Sequence, residues 1–226
     1  MKLLCVVTLA ASLLTACAGT AQADVAGAFE PELAAFERED AIAPSMTGGL
    51  LVLGSSSIRL WASLRDDLAP LEVVNRGFGG SRIVDINRNF TRLLGTRRPS
   101  AILLYSGDND LVSSSPESVI ADLGRFLELT NRHLGKVPVY VMTVKPSPAR
   151  AALLPSQRHY NALLAELTNR RPDLYRIDIF ATMLGPGETV RAELFGPDGL
   201  HMNDAGYALW TSHVRAALGL QKGIEK

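Results

Sequence analysis

The chain has 226 residues, 47% of them hydrophobic and 20% charged, with 23 basic and 23 acidic side chains. This is ordinary globular composition, enough for one domain with a substantial core. The balanced charge contains no basic cluster, so nucleic-acid binding has no electrostatic support, and beyond the N-terminus no apolar run is long enough to span a bilayer.

The N-terminus reads as an export signal. Lys2 precedes an apolar stretch from Leu3 to Leu14, the length of a signal-peptide core. Residues 1–17 are read as a lipoprotein-type signal, because Leu14-Thr15-Ala16-Cys17 resembles a lipobox whose cysteine is acylated; cleavage after Ala23, at Ala21-Gln22-Ala23, is the competing ending. The chain's cysteines are Cys5 and Cys17, so the mature domain has no intrachain disulfide. With no retention signal at Ala18, the expectation is an exported, periplasmic protein held at the outer membrane through a lipid on Cys17. Residues 18–31 are read as a flexible tether and residues 32–220 as the folded domain.

From there strand and helix alternate. Short unbroken apolar runs stand at Leu50–Leu53, Leu71–Val74, Ala101–Tyr105, Val137–Met142 and Tyr175–Phe180, a pattern that suits strands buried on both faces of a parallel sheet. After the second run, Ile83, Ile86, Phe90 and Leu94 recur at helical spacing. After the third, Ser115-Pro116-Glu117 supplies a cap, a first-position proline and an acidic first turn for a helix through Val119, Leu123 and Phe126. Tyr160, Leu163, Leu164 and Leu167 mark another helix, and Asn203 opens a last one through Tyr207, Trp210, Val214 and Leu218. The expected fold is an α/β sandwich around a doubly wound, five-stranded parallel sheet.

In such sheets ligands sit beyond the carboxyl ends of the strands, where strand order reverses. The segments leaving the first three strands are Gly54-Ser55-Ser56-Ser57, Asn75 to Ser81, and Ser106-Gly107-Asp108-Asn109-Asp110. None is a phosphate loop, and Gly77-Phe78-Gly79 lacks the third glycine of a dinucleotide fingerprint, with Arg82 in its place. Singly, a serine cluster reads as a helix cap, the glycines as turn geometry and His201 as a surface residue. Together, a serine at a helix start, separate hydrogen-bond donors and a late Asp-x-x-His make the set that acyl transfer needs.

Four segments resemble the four motif blocks of the GDSL/SGNH hydrolases, in order, over residues 50 to 205. Gly54 to Trp61 resembles the nucleophile block, Asn75 to Gly80 the glycine block, Gly107-Asp108-Asn109-Asp110 the Gly-x-Asn-Asp block and Asp198-Gly199-Leu200-His201 the Asp-x-x-His block. The aspartate of the family's Gly-Asp-Ser is absent, since the segment reads Gly54-Ser55-Ser56. The serine-rich first block and Lys145-Pro146-Ser147-Pro148 are similar to a bacterial branch resembling platelet-activating-factor acetylhydrolases.

The resemblance implies a three-layer α/β/α, flavodoxin-like fold and a serine esterase. Ser56 is the implied nucleophile, with Ser55 and Ser57 left open by the triple serine. His201 is the implied base and Asp198 its orienting carboxylate, while the Ser56 and Gly80 amides and the Asn109 side chain form the oxyanion hole. No metal or organic cofactor is expected; His133, His159 and His213 lie on helical stretches without ligand spacing. The expected substrate is a small-molecule or glycan ester with a short acyl group, because no insertion resembles a lid. Lys145 and Arg150, leaving the fourth strand on a proline-stiffened segment, are candidate contacts for an anionic substrate group or braces for the His201 loop. The competing reading is a catalytically weak glycan- or lipid-binding module of the cell envelope on the same fold.

Overall fold

The computed structural model describes residues 27–43 and 45–220. The signal segment, both of its cleavage readings and Cys17 lie outside the described residues.

Five strands, β1 (Leu50–Gly54), β2 (Val73–Gly77), β3 (Ala101–Tyr105), β4 (Val139–Met142) and β5 (Leu174–Ile177), form one parallel sheet in the order β2-β1-β3-β4-β5. Alternate side chains of each strand feed opposite layers. Leu51, Leu53, Ile102 and Leu104 enter one apolar core, and Leu50, Val52, Leu103 and Tyr105 the other. Burial on both faces is why the strands read as unbroken apolar runs. The runs around β2 and β5 mislead on register, because β2 extends into Asn75, Arg76 and Gly77 while the apolar run begins in the preceding turn.

The first core is covered by α1 (Glu30–Ile42), α4 (Ile83–Arg88), α5 (Phe90–Leu94), α6 (Pro116–Leu134) and α7 (Leu154–Asn169), and the second by α2 (Ser56–Arg59), α3 (Leu64–Asp67) and α8 (Asp204–Ala217). This is a three-layer α/β/α sandwich. Helix α6 is capped as expected, with Ser115 Oγ accepting from the Ser118 amide at 3.3 Å. The single helix expected over Ile83 to Leu94 is two, because Asn89 leaves helical backbone at φ −106°, ψ 13°. Helix α1 is absent from the sequence reading. Its one fully buried side chain is Leu33, too little for an apolar stripe, and Arg92 ties it down through Glu30 and Glu37 at 2.7 and 2.6 Å. The end of the expected tether is therefore part of the fold, with Phe29 set edge-on against Phe78 at 5.0 Å. Among the described residues no helix is long and apolar enough to cross a membrane.

Strand order reverses between β1 and β3, with β2 on one side and β4 on the other. The carboxyl ends of β1, β2 and β3 thus open onto one edge, and the loops that follow them meet there.

Candidate active site

The turn after β1 carries the serines. Gly54 allows it, since a Cβ there would lie 2.3 Å from the Tyr105 carbonyl oxygen and 2.6 Å from Ile58 Cγ1. Ser55 is the extended residue before α2 and Ser56 the first helical one, so the Ser56 amide belongs to the helix end that lacks intrahelical acceptors. Ser55 and Ser57 are buried, whereas Ser56 is half-buried. Of the three, Ser56 meets the histidine, its Oγ lying 2.9 Å from His201 Nε2.

His201 arrives on a loop fixed at both ends. Gly196 donates to the His201 carbonyl at 2.8 Å, and Asn203 both caps α8 through the Gly206 amide at 3.1 Å and reaches back to the Glu193 carbonyl at 2.9 Å. Asp198 closes a small turn: its Oδ1 accepts from the Leu200 and His201 amides, each at 2.9 Å, and its Oδ2 lies 2.6 Å from His201 Nδ1. Those two amides, and then the imidazole, hold the Asp198 carboxyl down at about 2. An ionised Asp198 keeps the Nδ1 proton between itself and the ring, which leaves Nε2 as acceptor toward Ser56. The Asp198 side chain is 51% exposed and that of His201 29%, so the relay lies at an open surface. Helix α8 is bound to α2 by the Tyr207 hydroxyl, which donates to the Ser57 carbonyl at 3.0 Å, and by Trp61 stacked on Tyr207 at 5.7 Å.

Two further donors lie on the loops that follow β2 and β3. Gly80 has φ +76°, a left-handed conformation suited to glycine, and its amide has no acceptor among the described residues. Asn109 donates from Nδ2 to the carbonyl of Ser81 at 3.0 Å, which ties the loop after β3 to the glycine loop after β2. A primary amide nitrogen carries two protons, so one remains for a ligand. Among the described residues no group of three or more His, Cys, Asp or Glu side chains forms a metal site.

Residues 45–209 match the family model described as GDSL-like lipase/acylhydrolase. The chain belongs to that family. No match is found among the curated proteins. Among solved structures, the fold is similar to that of a Streptococcus pneumonia protein named for platelet activating factor, with TM-score 0.75, 17% identity and coverage of 88% of this chain and 96% of that one. It is also similar to a GDSL-like lipase from Bacteroides thetaiotaomicron (TM-score 0.66, 16% identity, 83% and 97% covered). A third likeness is to a carbohydrate esterase of family 3 from Talaromyces cellulolyticus (TM-score 0.59, 15% identity, 76% and 96% covered).

In this member of the family the segment after β4 behaves differently from the sequence reading. Lys145 is 0% exposed. Its ammonium lies 3.0 Å from Asp108 Oδ2, and a cation locked to a buried carboxylate does not reach a substrate at the surface. Arg150 also points inward, with Nη1 2.7 Å from Asp108 Oδ1 and Nη2 donating to Asn109 Oδ1 at 2.8 Å. Burial alone would raise the Asp108 carboxyl, but Lys145 and Arg150 hold it below its usual range. Lys145 is therefore not placed as a substrate contact, and Arg150 is engaged by Asp108 and Asn109. The bracing alternative does have a counterpart, through the backbone: the Ala149 amide donates to the Gly199 carbonyl, inside the Asp198–His201 turn, at 3.0 Å.

Asp108 and Asp110 escaped the sequence reading as more than turn residues. Asp110 is buried, and its Oδ1 accepts from the Ile83 amide at 3.0 Å, fastening the start of α4 behind the glycine loop. Burial pushes its carboxyl up to about 6. The signal available was a run of charge at the exits of the third and fourth strands, unreadable until those strands are known to be neighbours.

Proposed function

We propose that this chain is an exported serine esterase that cleaves short-chain or acetyl esters through an acyl-enzyme. The observation that carries the reading is the relay from Ser56 Oγ to His201 Nε2 at 2.9 Å and from His201 Nδ1 to Asp198 at 2.6 Å. A serine hydroxyl is a poor nucleophile until a neutral imidazole takes its proton, and the imidazole accepts it readily when a carboxylate faces its other nitrogen.

His201 Nε2 removes the Ser56 proton as Oγ bonds to the ester carbonyl carbon. The carbonyl electron pair moves onto oxygen, where the Ser56 and Gly80 amides and the free Asn109 proton are the available donors. Collapse of the intermediate breaks the bond to the alkoxide, which leaves with the proton from Nε2. Water, deprotonated by the same nitrogen, then attacks the acyl-serine and releases the acid, restoring Ser56.

The preference for short acyl groups rests on the exposure of Asp198, His201 and Gly80: a long chain gains affinity from burial, and this surface offers little of it. Glycan esters fall within that class, and the Talaromyces carbohydrate esterase shares the fold. Export rests on the N-terminal sequence, with Cys17 as the lipid-bearing residue. The binding-module alternative would call for a defective relay, and nothing in the Ser56–His201–Asp198 geometry favours it.

Hydrolysis of chromogenic acetyl and long-chain esters by the purified domain tests this reading. The expected result is turnover of the acetyl ester, with rates falling as the acyl chain lengthens. A preference for the long chain would overturn the substrate class, and no turnover of either ester beyond a Ser56→Ala control would overturn the activity.

A further inference from the structure

Beyond the relay, the most completely specified contact beside the site is the one between Arg150 and Asn109. An asparagine amide has two orientations related by a half-turn, and the wrong one puts oxygen where the oxyanion would form. Here both ends are constrained. Nδ2 donates to the Ser81 carbonyl at 3.0 Å and Oδ1 accepts from Arg150 Nη2 at 2.8 Å. Reversal would set two oxygens against each other at Ser81 and two donors against each other at Arg150.

Arg150 is itself held. Its Nη1 lies 2.7 Å from Asp108 Oδ1, and Asp108 is gripped on its other oxygen by the fully buried Lys145 at 3.0 Å. Asp108 is buried, and the Arg150 side chain is 16% exposed, so a flexible cation is fixed in one geometry at a site where charge is poorly screened. One carboxylate between two cations leaves one positive charge uncompensated within the cluster. That charge acts on the carbonyl side of the Asn109 amide and polarises the group toward stronger donation from nitrogen.

We infer that Arg150, held by the Asp108–Lys145 pair, is a positioning residue that fixes and polarises the Asn109 amide as oxyanion donor. It does not touch substrate; it acts through Asn109. The inference rests on the esterase reading proposed above.

A double-mutant cycle tests it, with steady-state turnover of a neutral acetyl ester as the readout. Arg150→Met in the wild-type background should lower kcat by about 10- to 100-fold and leave KM within about threefold, because a donor used only in the transition state is weakened. Asn109→Ala should lower kcat by about 10²–10³. In the Asn109→Ala background, Arg150→Met should cost less than about threefold, since its target is gone. Arg150→Lys, which keeps the charge and the Asp108 pair but loses the planar fork, should fall between wild type and Arg150→Met and keeps the test open if the methionine variant folds poorly. Multiplicative losses in the double variant would overturn the inference, and so would an effect confined to KM. The esterase reading is judged separately, by the loss of activity in Ser56→Ala, which stands or falls whatever Arg150 does.

Discussion

At the scale of single residues, ionisation decides what each carboxylate can do. Asp198 is held at about 2 by amides and the imidazole. Its folded value is depressed below that of the free chain, so its contribution to stability is present above about pH 4 and is lost as pH falls toward 2. Comparing the melting temperatures of wild type and Asp198→Asn across that range should show the difference between them shrinking with acidification; an unchanged difference would mean that the carboxylate is not so held. Asp110 runs the opposite way. Burial raises it to about 6, so the folded state binds the extra proton and stability falls as pH rises from about 4 through 6. Asp110→Asn should flatten that decline, measured by denaturant midpoints at pH 4.5 and 7.5. Lys145 belongs here as well. Breaking a buried ion pair by removing one partner costs about 3–5 kcal/mol, and Arg150 remains to cover Asp108, so Lys145→Met should destabilise by about 3 kcal/mol or less. It should shift KM for anionic and neutral esters alike. A selective loss of the anionic ester would restore the substrate-contact role that the buried ammonium argues against.

At the scale of elements, the site depends on α8 being docked against α2 and β3. Trp210 is fully buried, 4.6 Å from Tyr105 and 5.9 Å from Trp61. Trp210→Ala should cost about 3–5 kcal/mol, with lost activity following lost fold in a melting curve. Asn203→Ala removes the α8 cap and should cost about 1 kcal/mol, but it also frees the loop that carries His201, so kcat should fall further than the stability change suggests. Equal behaviour of the two variants, after correction for unfolded fraction, would mean that the loop is held by other contacts. The same elements mark what the sequence makes legible. Strands β1 and β3 stand out because both faces are buried, and α6 and α8 because Ser115 and Asn203 are genuine caps. Helix α1 is invisible, because it is held by ion pairs to Arg76, Arg92 and Arg97 rather than by an apolar stripe. The α4–α5 break is invisible because Ile83, Ile86, Phe90 and Leu94 keep helical spacing across the kink at Asn89. Ser56, Asp198 and His201, which the fold brings together, are legible because each sits in a contiguous motif. The Arg150–Asn109 and Lys145–Asp108 contacts are not, because they join the exits of adjacent strands, and adjacency is a property of the sheet.

At the scale of the whole molecule, the fold places three strand exits on one edge and brings a fourth loop, from before α8, across to meet them. The N-terminal sequence carries the proposal of export. Intact mass of the mature protein should correspond to a chain beginning at an acylated Cys17; an unmodified chain beginning at Asp24 would mean that the protein is released rather than membrane-held. The central claim is that Ser56 is the nucleophile, and a fluorophosphonate probe tests it most directly, because the probe bonds covalently to an activated serine. The adduct should map to Ser56 by peptide mass spectrometry, and Ser56→Ala should lose both labelling and turnover, the latter by about 10⁶. Labelling at Ser55 or Ser57, or a Ser56→Ala protein that still hydrolyses ester, would contradict the account.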